Sequence, residues 1–149
     1  MDRRAFIATA ASLFAAPLAA EAQQEGMRWW RPTWSAVKGL GPGVSSVVID
    51  GNPNTGPYTL HVRYPSGHTV GAHRHKSTEH VTVLSGTLLV GWGTVWDPAK
   101  LKALRAGESV VVPAGVPHFS AAHEETVMEV RLDSPYDIEY VLDADDPRQ

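Results

Sequence analysis

The chain has 149 residues, 43% of them hydrophobic and 19% charged, the make-up of a globular protein of one domain. Its 13 Lys+Arg stand against 16 Asp+Glu, a net charge of -3, so there is no basic excess to neutralise phosphates and no nucleic acid is expected as a partner. Cysteine is absent, which excludes disulfides, thiolate metal sites and cysteine nucleophiles.

Residues 1–22 read as an export signal. Arg3 and Arg4 precede an Ala-rich apolar run, and Ala20-Glu21-Ala22 offers the small residues of a peptidase site, with cleavage before Gln23. The arginine pair resembles the twin-arginine signal, although it lacks the usual Ser/Thr before the pair and the Lys after it. The expectation is a periplasmic protein, with the general secretory route as the alternative. The apolar run is shorter than the roughly 18 residues a spanning helix needs, so no membrane insertion is expected after cleavage.

Residues 23–43 carry Trp29, Trp30 and Trp34 among Arg, Pro and Gly, and are expected to form an arm packed on a sheet. From residue 44 to 142 the sequence predicts strand after strand. Val44 to Asp50 is β-branched, and the run from Gly51 to Pro57 is dense in turn formers. In Tyr58 to Tyr64, apolar and polar residues alternate, which places Tyr58, Leu60, Val62 and Tyr64 inward and His61 and Arg63 outward. Glu79 to Leu84 and Thr87 to Trp92 read as a hairpin turning at Ser85-Gly86. Asp97 to Leu104 reads as a loop with one helical turn. Val110 to Val112, Val116 to Ala122, Thr126 to Leu132 and Tyr136 to Leu142 follow as short strands, and residues 143–149 as a charged tail. Short strands punctuated by Gly and Pro, with almost no helix, predict an all-β sandwich or barrel.

The seven histidines carry the chemistry. His73 and His75 are two apart, so on a strand both imidazoles share a face. Glu79 lies four further on, an even step, and on a straight strand it points the same way. Val81 and Val83 continue that face into an apolar interior. His118 follows the stiff turn Pro113-Ala114-Gly115-Val116-Pro117, which aims it from a neighbouring strand. Three imidazoles and a carboxylate suit one divalent transition metal: Fe, Mn, Ni, Zn or Cu. His80 faces away from this set, His68 sits in the loop before it near a pocket mouth, and Arg74 alternates outward.

Gly67, His73-Arg74-His75, Glu79 and Gly86 resemble, at every fixed position, the first motif of the cupin superfamily. Gly107, Pro113-Ala114-Gly115 and His118 resemble the second, except that Ala122 stands where that motif ends in Asn. The resemblance covers residues 44–142. It implies a single jelly-roll β-barrel, with His73, His75, Glu79 and His118 on one metal. It further implies open metal positions for a small-molecule substrate or ligand, most often for oxygenase chemistry. An isomerase or lyase needs the same metal plus a separate base, and no second base is identifiable from spacing. The alternative is a non-catalytic periplasmic module for binding or sensing a ligand. A homodimer is expected, because the Trp-rich arm offers apolar surface that so small a domain does not bury alone.

Overall fold

The computed structural model describes residues 30–149. The expected export signal at 1–22 and the start of the arm, with Trp29, lie outside the described residues.

Eleven strands lie within the unit Pro32–Gln149. They are β1 (Ser35–Ala36), β2 (Ser45–Gly51), β3 (Tyr58–Tyr64), β4 (Thr69–Arg74), β5 (Glu79–Ser85), β6 (Thr87–Trp92), β7 (Lys102–Arg105), β8 (Ser109–Val112), β9 (His118–Ala122), β10 (Thr126–Leu132) and β11 (Glu139–Tyr140). One sheet has six strands in the order β1-β2-β3-β10-β5-β8, and the other has five in the order β11-β4-β9-β6-β7. All the strand pairs are antiparallel.

The all-β class is as expected, but the jelly-roll barrel is not what forms. Closure needs a hydrogen-bonded ladder joining the edge strands, and both sheets end open. The edges are β1 and β8 of one sheet and β11 and β7 of the other, none longer than four residues. Short edge strands are a common way to leave a sheet open without inviting further pairing. Strands β7 and β8 are neighbours in sequence yet pair with β6 and β5 in different sheets.

The expected hairpin at Ser85-Gly86 is likewise a corner, since β5 and β6 fall in different sheets. Gly86 makes the corner possible. Its φ is 79°, and a Cβ there would lie 2.4 Å from the Glu125 carbonyl oxygen. The stretch read as a loop, Asp97 to Leu104, holds a single 3-10 turn at Pro98–Lys100 and then β7. Of the strand expected at Tyr136 to Leu142, two residues pair, Glu139 and Tyr140.

Alternation places the core as predicted. Tyr58, Leu60, Val62 and Tyr64 are buried, and Val81, Val83, Met128, Val130 and Leu132 lie beside them on the same sheet's inner surface. From the opposite sheet come Val70, Leu88, Val90 and Ala122. Burial of these side chains, at about 25 cal/mol per Å² of apolar area, is the main force holding the two layers together. On the outer surface the arm delivers Trp34, whose ring lies 4.0 Å from the Arg63 guanidinium.

Candidate metal centre

Strand β9 sets His118 directly across the ladder from His73 on β4. A break in register between Val70 and His73 re-aims the end of β4. Gly71 sits in that break, and the Asp145 side chain occupies the space a Cβ would need, 2.6 Å away. His75 lies just past the end of β4. Glu79 does not continue the same strand, as a straight reading of the spacing requires. The chain crosses between the sheets after His75, and Glu79 opens β5 in the six-stranded sheet. The four side chains therefore converge from both layers.

His73, His75 and His118 are buried, and ligand atoms from the three lie within 4.8 Å of one another. Glu79 faces two of them: its Oε2 is 3.2 Å from His118 Nε2 and its Oε1 is 3.7 Å from His75 Nε2.

Hydrogen bonds fix which nitrogen each ring turns inward. His73 Nδ1 donates to the Gly71 carbonyl at 2.8 Å, His75 Nδ1 to the Asp137 carbonyl at 2.6 Å, and His118 Nδ1 to the Val116 carbonyl at 3.1 Å. A carbonyl can only accept, so each Nδ1 carries the proton and a neutral ring keeps its lone pair on Nε2. A backbone carbonyl on the far nitrogen is the support that metal-binding imidazoles use to hold tautomer and orientation. The donor set passes the chemical test for one divalent transition metal.

The electrostatics agree. Burial, with His118 and His75 close by, pulls the His73 pKa down to about 3, which keeps this ring neutral at ordinary pH. Burial alone would raise the Glu79 pKa. The close approach of His118, His75 and His73 outweighs it, holding the carboxyl at about 2 and so ionised.

The remaining sequence candidates fall outside this cluster. His80 is exposed. His68 lies at 2.7 Å from the Leu40 carbonyl, to which its Nε2 donates, and meets Tyr64 edge-on. His61 faces outward and reaches Glu129 at 3.3 Å, and Arg74 faces outward to Glu139. Ala122 shares the inward face of His118 but stands four residues along β9, about 13 Å away, so the departure from the second motif does not touch the cluster.

Sequence reasoning missed three supporting parts. Tyr140 pairs across the ladder with His73, and its ring centroid is 5.8 Å from that imidazole. Asp137 supplies the carbonyl for His75, while its Oδ2 accepts from the Lys76 backbone N–H at 2.9 Å. Val37 and Leu40 of the arm wall the cavity beside the cluster. No spacing rule marks these residues. They act through backbone atoms or by packing at long sequence separation.

Residues 60–135, just over half of the chain, match the family described as the cupin domain. The chain belongs to the cupin family. Among solved structures, this cupin is similar to an RmlC-like cupin from Shewanella frigidimarina, at 20% identity and a TM-score of 0.56, over 71% of this chain and 86% of that one. It is also similar to the polyketide cyclase RemF from Streptomyces resistomycificus, at 14% identity and a TM-score of 0.63, over 81% and 89%. At such identities the likeness carries the fold alone. Oxalate oxidase is 30% identical with a TM-score of 0.53, and the aligned region covers 72% of this cupin and 60% of the oxidase. No curated protein matches the cupin's sequence.

Proposed function

We propose that His73, His75, His118 and Glu79 together hold one divalent transition metal, and that the protein is a metal-dependent enzyme acting on a small organic molecule. The observation that carries this reading is the convergence of three Nε2 atoms and one ionised carboxylate, with each Nδ1 committed to a backbone carbonyl. A bound ion of this kind supplies Lewis acidity and, where it is redox-active, electrons. The chain's own residues orient the imidazoles, keep His73 unprotonated and surround the site with aliphatic walls that limit water. The 30% identity to oxalate oxidase supports an oxidoreductase over an isomerase or lyase.

A second reading, a non-catalytic ligand-binding module, draws support from one feature. Among the described residues lining the cavity, Glu79 and the three imidazoles are the only candidate bases. The tyrosines there, Tyr58, Tyr64 and Tyr136, are each pushed up in pKa by burial.

Elemental analysis of the protein purified from its native host, followed by O₂ uptake across diols, phenols and small acids, tests both readings. One metal per chain with uptake on some substrate supports the enzyme. One metal with tight ligand binding and no uptake supports the module. Chains without metal refute the enzyme.

Export to the periplasm by the twin-arginine route belongs to the same proposal, supported by Arg3-Arg4 and the apolar run that follows. Among the described residues no helix is long and apolar enough to cross a membrane. We also propose a homodimer, supported by exposed Val48, Ile49, Leu84 and Val111 on the six-stranded sheet. Sedimentation at micromolar concentration tests it, and a clean monomer refutes it.

A further inference from the structure

Residues 143–149, which read from sequence as a charged tail, fold back onto β4 behind the metal centre. The contact begins at the break in β4. Gly71 and Ala72 have no partner on β9, because the register shifts between Val70 and His73. A break of this kind re-aims the side chain that follows it, but leaves its own stretch of backbone without ladder bonds on that side. The stretch carries the Gly71 carbonyl, to which His73 Nδ1 donates at 2.8 Å. It is held from the other side. The Val141 N–H donates to the Ala72 carbonyl at 2.8 Å, and a 3-10 turn at Asp143–Asp145 sets the Asp145 side chain against Gly71. A Cβ on Gly71 would lie 2.6 Å from the Asp145 Cβ, so the fit leaves no room for a side chain. The φ of Gly71 is outside the left-handed region, so close approach rather than backbone conformation requires glycine here.

A second contact reaches the same imidazole. Tyr140 pairs across the ladder with His73, and the two ring centroids are 5.8 Å apart. The Arg148 guanidinium lies 5.9 Å from the Tyr140 centroid. Asp146 fixes it there, accepting from Nε at Oδ1 and from Nη2 at Oδ2, each at 2.7 Å, and the Ile138 carbonyl accepts from Nη2 at 3.3 Å. We infer that the tail positions His73 for metal binding: Asp145 seats the carbonyl that orients the imidazole, and Arg148 holds the Tyr140 ring beside it. This rests on the proposed metal centre and adds to it two positioning residues, Asp145 and Arg148, that touch neither the ion nor its ligands.

The test is cobalt(II) titration of the full chain and of full-length variants, with affinity read by competition with a chelator and geometry from the cobalt absorption bands. Gly71→Ala puts a methyl into the space that Asp145 occupies, and Asp145→Gly empties that space. Each is expected to weaken cobalt binding about tenfold and to shift the bands, the usual cost of losing support behind a metal-binding imidazole. In the double variant the methyl fills the vacated space, and affinity and bands are expected to return most of the way. Arg148→Ala is expected to give a smaller loss in the same direction. A tail that only adds stability would lower the denaturation midpoints and leave cobalt affinity and bands as they are. That result in the folded variants overturns the inference, as does a double variant that binds no better than Gly71→Ala. Should Gly71→Ala fail to fold, Asp145→Gly and Arg148→Ala decide, since neither adds bulk, and unchanged affinity and bands in both overturn the inference. An unaltered chain that takes up no cobalt refutes the metal centre itself, a failure visible before any variant is made.

Discussion

At one end of the space between the sheets, His73, His75, Glu79 and His118 gather around a small cavity. At the other, four residues along β9, Ala122 joins Val70 and Val83 in a purely apolar plug. Both ends are buried, but for different reasons. The plug is stabilised by removal of apolar area from water and asks only for shape. The cluster removes four polar groups from water, so each imidazole needs a fixed hydrogen-bond partner and Glu79 needs the imidazoles. The plug therefore contributes most of the stability, while the cluster carries the chemistry at some expense to it.

That division can be broken experimentally. The largest effect is expected from His118→Ala, which removes one ring from the centre of the cluster: metal content by elemental analysis should fall from one per chain to near zero. Val83→Ala, in the plug, should do the reverse. It should cost about 1.5–3 kcal/mol in chemical denaturation and leave metal content unchanged. Loss of metal in Val83→Ala would show that the two ends are not separable.

Acidification sharpens the contrast from the other side. The folded pKa of His73 is depressed to about 3 from an ordinary value of 6.5, and that of Glu79 to about 2 from 4.5. Both groups bind more protons unfolded than folded in those windows, so both contribute stability that is lost as pH falls. For the metal-free protein the loss should begin near pH 6.5 through His73 and steepen below pH 4.5 through Glu79. Each proton adds up to about 1.4 kcal/mol per pH unit. Denaturation midpoints measured from pH 7 to pH 4 check this, and a flat profile contradicts it. The smallest expected effect is that of Tyr140→Phe, which removes the hydroxyl that donates to the Gly39 carbonyl at 2.7 Å. It should cost about 0.5–1.5 kcal/mol in the same denaturation assay.

Much of this contrast is legible in the sequence, because it rests on local pattern. The alternation in Tyr58 to Tyr64 specifies both β3 and its buried face, and β6 and β10 follow their apolar runs residue for residue. The four cluster residues stand out by type and spacing. What escapes is anything decided by partners distant in the chain. Gly86 reads equally well as a hairpin turn or as a corner between layers, and only the pairing of β5 with β10 and β8, and of β6 with β7 and β9, decides it. Closure of a barrel depends on whether β7 and β8 pair, which no residue in either strand announces. The even step from His75 to Glu79 predicts convergence correctly but for the wrong geometry, since the residues meet across the gap rather than along one strand.

One short stretch ties the interior to the surface. Between Ser134 and Tyr140 the chain offers the Asp137 carbonyl to His75, and the hydroxyls of Tyr136 and Tyr140 to the backbone at Lys38 and Gly39, next to the Leu40 that walls the cavity. One wall of the cavity and the backbone partner of one metal-facing ring thus hang from the same bracket, so a single seven-residue stretch secures both.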